Sequence, residues 1–182
     1  MDLVEVIAAL DSRPDLHAAR LLLLISTFSG TGQGDAVEGL TKLAKLDFLL
    51  RYPVMLERAL AAKGRSTRDV KVEDHERLSV ESEMVRYRFG PWDHRYREFL
   101  NILISKGLVD VSLEGRKVVI APTERGRTLA SELGASSAFE DLARRCVLLK
   151  RHFDLQATTL MRFIYDTFPE VTSLRSDETI RT

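Results

Sequence analysis

The stretch GLTKLAKLDFLLRYP, residues 39–53, restricts the possible folds more than any other part of the chain. Wound at 3.6 residues per turn, Leu43, Leu46 and Leu50 form one apolar stripe, and Phe48, Leu49 and Tyr52 form a second across the helix. Lys42 and Lys45 lie on one seam between the stripes, Asp47 and Arg51 on the other. A surface helix needs only one apolar stripe, so the second must meet another part of the same chain or a different chain. Two readings therefore stay open for Phe48, Leu49 and Tyr52: packing against the first long helix, or contact with a partner, with Lys42 and Lys45 beside them. Asp47 and Arg51, spaced i, i+4, are expected to pair along the helix and fix its orientation.

Flanking segments supply candidates for what the helix meets. Leu3, Val6, Ile7 and Leu10 recur at helical spacing; Ser12 and Pro14 then read as a cap and a first-turn proline for a helix running to about Ser29. SGTGQGD breaks it. Pro53 opens a further helix closed by Gly64, and the charge-dense stretch 63–83 reads as a solvated loop. EMVRYRF alternates as a half-buried strand, GPWD turns the chain, and Asp93 caps a helix carrying Tyr96, Phe99, Leu100 and Leu103 up to Gly107. LVDVSL, EGRK and VVIAPT form a hairpin signal, and Thr123 caps a helix ended by Gly134. Ser137 with Glu140 reads as a capping box for one more helix, and Asp154 as the cap of a last one ending at Pro169.

Helices followed directly by a β-hairpin give a mainly α chain with a small β-hairpin wing, an α+β winged-helix arrangement. Residues 1–134 are expected to form this domain, with an N-terminal helix and the charged loop at 63–83. Residues 135–169 are expected to form a C-terminal helical pair, and 170–182 a polar tail. SKGLVDV and GRKVVIAPTERG carry the resemblance to winged-helix regulators, in the Gly-Leu-Val step and the Thr-x-x-Gly exit from the wing. The apolar stripes of the C-terminal pair need cover, and in this architecture that is often the matching pair of a second subunit, a homodimer.

Composition narrows the chemistry. The chain has 182 residues, enough for one core, and its 27 Lys and Arg balance 27 Asp and Glu, so attraction to nucleic acid must come from local clusters. The best such cluster is Arg86, Arg88, Arg95 and Arg97, with Arg116 and Lys117 at the wing tip; these are candidate contacts to duplex DNA, or else a charged partner surface or a solvated face. No apolar run approaches the ~20 residues of a membrane span and nothing near Met1 resembles a signal peptide, so a cytoplasmic protein away from membranes is expected. The single cysteine, Cys146, falls in a helical apolar pattern and fits a buried thiol in a reducing compartment. GTGQGD lacks the ending that cradles phosphate, the four histidines are scattered, and no nucleophile turn is present, so we expect no metal, no cofactor and no catalysis.

GLTKLAKLDFLLRYP at 39–53 and MVRYRFGPWDHRY at 84–96 together resemble the middle component of bacterial three-component conflict systems. Those systems are built around an ABC-type, SMC-like or Rad50-like ATPase, and Lamassu-type antiphage systems are similar to them. The resemblance implies a small, non-enzymatic winged-helix subunit that bridges the ATPase and an effector subunit and also touches the DNA the ATPase embraces. Its motif residues here are Lys42, Lys45, Asp47, Arg51, Tyr52, Arg86, Tyr87, Gly90, Pro91, Trp92 and Asp93, as framework or as contact. The alternative is a dimeric winged-helix transcription regulator, for which HRYREFLNILISK offers a weakly basic recognition helix.

Overall fold

Pro14 presets φ for a first helical turn, and the apolar run behind it gives α1 (Pro14–Phe28), in which Leu21, Leu24 and Ile25 are completely buried. A helix apolar on nearly all sides belongs inside the molecule, and α1 packs against several later helices of the chain. The computed structural model describes residues 13–30, 36–77, 85–87 and 90–173. The expected helix at 3–10, the TGQGD portion of the glycine loop, the stretch 78–84, Arg88, Phe89 and the chain from 174 onward lie outside them.

After α1 come a two-residue strand β1 (Val37–Glu38), then α2 (Leu40–Arg51) and α3 (Pro53–Ala62), separated by Tyr52. A 3-10 turn at Arg68–Val70 and a short α4 (Asp74–Arg77) follow, then β2 (Val85–Tyr87), β3 (Gly90–Trp92) and α5 (Tyr96–Ser105). The hairpin β4 (Val109–Glu114) and β5 (Lys117–Pro122) leads into α6 (Glu124–Ala135), α7 (Glu140–Phe153), α8 (Ala157–Thr167) and α9 (Pro169–Ser173). The chain is mainly helical with a small three-stranded antiparallel sheet, ordered β1-β5-β4, and a separate β2–β3 ribbon. Register is regular, with Val111 opposite Ile120 and Val37 also opposite Ile120.

Local signals explain the joints. Gly107 adopts φ 64° and ends α5, so that Leu108 turns into β4. Thr123 accepts the Gly126 amide at 3.0 Å and donates to the Gly107 carbonyl at 2.7 Å, while a Cβ on Gly126 would stand 1.9 Å from the Leu108 carbonyl oxygen. The Thr-x-x-Gly step is thus a cap combined with a backbone contact that only glycine permits.

Several expectations are corrected. GPWD is not a turn, because Gly90–Trp92 pairs with Val85–Tyr87. The capping box at Ser137 and Glu140 does not form; α7 starts from Phe139 without a side-chain cap. Asp154 caps nothing, since α8 begins after Gln156 and Asp154 binds Lys42 and Lys150 instead. The stretch 63–83, described through 77, is not simply a solvated loop: Val70 is fully buried, and Arg145 of α7 holds the segment. Its guanidinium donates to the carbonyls of Val70 and Lys71, both at 2.9 Å, and to the Glu76 carboxylate at 2.6 and 2.7 Å.

The C-terminal helices find their cover within the chain. α7 packs against α1 and α2, and α8 against α2 and α3. Cys146, Phe153, Leu160, Ile164, Phe168 and Val171 join the same core cluster as Leu21 and Leu46. Their buried stripes therefore do not require a second subunit.

Candidate functional site

The second stripe of α2 is interior. Phe48 and Leu49 are 0% exposed and Tyr52 is 6% exposed. Phe168, one residue past α8, sets its ring edge on Phe48 at 5.5 Å between centroids, and Tyr52 packs on Phe48 at 5.7 Å. Lys42, only 9% exposed, donates to Asp154 at 3.1 Å. Lys45, 2% exposed, donates to the Thr41 carbonyl of its own helix at 3.2 Å, and burial lowers its ammonium to about 8. The expected partner face made of Lys42, Lys45, Phe48, Leu49 and Tyr52 is thus corrected. The chain's own C-terminal segment covers it, because Phe168 and Asp154 return to α2 from more than a hundred residues away.

The opposite seam also differs from expectation, since Asp47 and Arg51 do not pair with each other. Asp47, with no exposed surface, accepts two bonds from Arg20 of α1, at 2.7 and 3.0 Å, and one from the Tyr96 hydroxyl of α5 at 2.8 Å. Arg20 also approaches His17 Nδ1 at 2.8 Å; a guanidinium can only donate, so this imidazole nitrogen accepts. The His17 ring stacks on Phe99 at 4.9 Å. Burial pushes the Tyr96 hydroxyl well above its ordinary range, and the Asp47 charge adds to the shift. For Arg20, burial works against the charged form, but Asp47 outweighs it and the guanidinium is raised.

Arg51 takes its partner one turn ahead of α5. Its guanidinium donates to Asp93 at 2.8 Å, and Arg95 forks onto the same carboxylate at 3.1 and 2.9 Å. Burial alone would raise Asp93, yet the bonds from Arg95 and Arg51 hold it far below the usual carboxylate range. Three of the motif residues, Asp47, Arg51 and Asp93, therefore lock α2 to α1 and to the start of α5, where they act as framework.

The candidate cations separate into groups. Arg86 stands in β2 opposite Pro91, and Arg88 lies outside the described residues. Arg95 is engaged by Asp93 and lies 5.3 Å over the Phe99 ring. Arg97 on α5 and Arg116 in the β4–β5 turn are exposed, and Lys117 beside it pairs with Glu38 at 2.9 Å. α5 packs against β4, so Arg97 and the hairpin cations belong to one structural unit. That unit also bears Ile104, Val111 and Leu113, which are 43%, 42% and 74% exposed and account for most of the large exposed hydrophobics among the described residues.

Sequence reasoning missed Arg20, His17 and Arg145. A lone arginine at the head of the run LLLLI was the available signal, because a charge beside a fully buried helix face must have a partner. Among the described residues, no group of three or more His, Cys, Asp or Glu side chains is placed to hold a metal ion. Cys146 is fully buried, which pushes its thiol up and away from a reactive thiolate. Among the described residues no helix is long and apolar enough to cross a membrane.

A family model described as ABC-three component (ABC-3C) system Middle Component 4 matches residues 28–160, well over half of the chain. No curated protein and no solved structure matches it.

Proposed function

Because the chain belongs to the middle component 4 family of ABC-three component systems, we propose that it is a non-catalytic winged-helix accessory subunit in antiphage defence. In this role it bridges an SMC-like ABC ATPase and an effector subunit. The match across residues 28–160 carries the reading, since a component of a multi-component system implies protein partners. The winged-helix part is supported by the order α1, β1, α2, α5 and hairpin, with β1 joined antiparallel to β5. The segment from α3 to β3 then stands as an insertion between the second and third core helices.

Partner contact in this proposal falls to the α5–β4 unit. Exposed apolar side chains on a strand whose outer edge has no partner among the described residues suit a protein interface. DNA contact falls to Arg97, Arg116 and Lys117. Co-purification of the tagged chain from its native operon, with mass measurement of the complex, is expected to recover an ABC ATPase. Recovery of the chain as a lone species overturns the adaptor reading. Leu113→Asp is expected to abolish capture while leaving the melting curve unchanged, and undiminished capture removes this strand from the interface.

A further inference from the structure

Where α3 and α7 end near one another, four basic side chains gather. Lys63, at the C-cap of α3, donates from Nζ to the His152 carbonyl at 2.5 Å and lies over the Phe153 and Phe163 rings at 5.0 and 5.7 Å. Gly64, at φ 63°, turns the chain so that the Arg65 amide bonds back to Leu60 at 2.9 Å. Arg65 and Arg151 are exposed, and Arg151 and His152 occupy the last turn of α7.

Among the described residues, no acid neutralises the group. Lys63, Arg65, Arg151 and His152 form no ion pair there, and the nearest acid in sequence, Asp154, is already taken by Lys42 and Lys150 at 3.1 and 2.5 Å. Burial lowers the His152 imidazole, and the charges that add to this are Arg65, Arg151 and Lys63, all of one sign. Elsewhere some exposed bases of this neutral chain are paired, as Arg58 with Glu170 and Arg77 with Glu57. Others, such as Arg97 and Arg116, form no ion pair among the described residues. What sets this group apart is that four basic side chains lie together. Cations at a helix C-terminus complement its dipole. Here two C-termini meet, with Arg151 and His152 at the end of α7 and Lys63 and Arg65 at the end of α3, so that two such sets of cations share one place.

We infer that Lys63, Arg65, Arg151 and His152 form a phosphate-binding surface that holds the backbone of duplex DNA, separate from the α5–β4 unit. A protein partner is the weaker fit. Interfaces between proteins centre on apolar or aromatic anchors, and the only large exposed hydrophobic on these two helices, among the described residues, is Val147. Phosphates require only positive charge and N–H donors, which two guanidiniums and an ammonium supply. The inference does not depend on the adaptor reading.

The test is anisotropy of a short labelled duplex of arbitrary sequence titrated with the full chain over a salt series. Arg65→Glu with Arg151→Glu is expected to lower affinity about tenfold or more near ~0.1 M salt and to flatten the log–log salt slope by about 2. The milder Arg65→Gln with Arg151→Gln should flatten the slope in the same direction, which keeps the test decisive if charge reversal impairs folding. An unchanged slope in the glutamine pair overturns the inference. So does complete loss of salt dependence in Arg97→Glu with Arg116→Glu alone, or wild-type protein that binds polyglutamate but not the duplex.

Discussion

Asp47 is the most consequential single side chain, because it satisfies a buried arginine and a buried tyrosine from two other helices. Asp47→Ala leaves the Arg20 guanidinium buried with its carboxylate removed, and is expected to cost about 3–5 kcal/mol in denaturant unfolding. Tyr96→Phe removes one bond and should cost only about 1–2 kcal/mol. Lys45 gives the opposite sign. Its folded ammonium titrates near 8, whereas the unfolded chain retains the ordinary 10.5, so between these values the unfolded state holds more protons. Stability should therefore rise with pH across that window, and the full penalty persists below it. Lys45→Met is expected to gain on the order of 1–3 kcal/mol at neutral pH and to flatten the rise, as read from melting curves across pH. A flat wild-type profile would show that this ammonium is solvated in solution.

Elements are held by a few long-range anchors, and two of these can be tested directly. Arg145 donates four bonds to the segment 70–76, so Arg145→Ala should release that segment with faster hydrogen exchange confined largely to it, at about 2–4 kcal/mol of global cost. Uniform change across the chain would show that the anchor serves the whole core. Gly126 lets the start of α6 touch the Leu108 carbonyl, and Gly126→Ala places a methyl 1.9 Å from that oxygen. The strand–helix joint must then separate, with an expected loss of about 2 kcal/mol or more in chemical denaturation. A melting temperature equal to wild type would contradict the close approach of α6 to Leu108.

Across the whole molecule, one core runs from Ala18 in α1 to Val171 in α9, so the C-terminal helices belong to the fold that buries α2. Phe48→Asp is consequently expected to unfold the chain, seen as loss of the cooperative melt, whereas Leu113→Asp on the exposed hairpin should not. A folded Phe48→Asp protein would reopen the second stripe as a contact face. The family resemblance was legible in GLTKLAKLDFLLRYP and MVRYRFGPWDHRY, and the family match includes both stretches. The helices α1, α2, α3 and α5, the β4–β5 hairpin and the Thr123 cap were also legible, because i, i+4 periodicity, glycine turns and caps are set by residues a few positions apart. The sequence could not say that Asp47 prefers Arg20, 27 residues away, and Tyr96, 49 away, over Arg51 on its own helix. Nor could it say that Asp154 leaves a helix start to hold Lys42, or that Phe168 closes over Phe48. Those choices depend on which side chains tertiary packing brings within bonding distance once water is excluded, and local spacing carries no record of that distance.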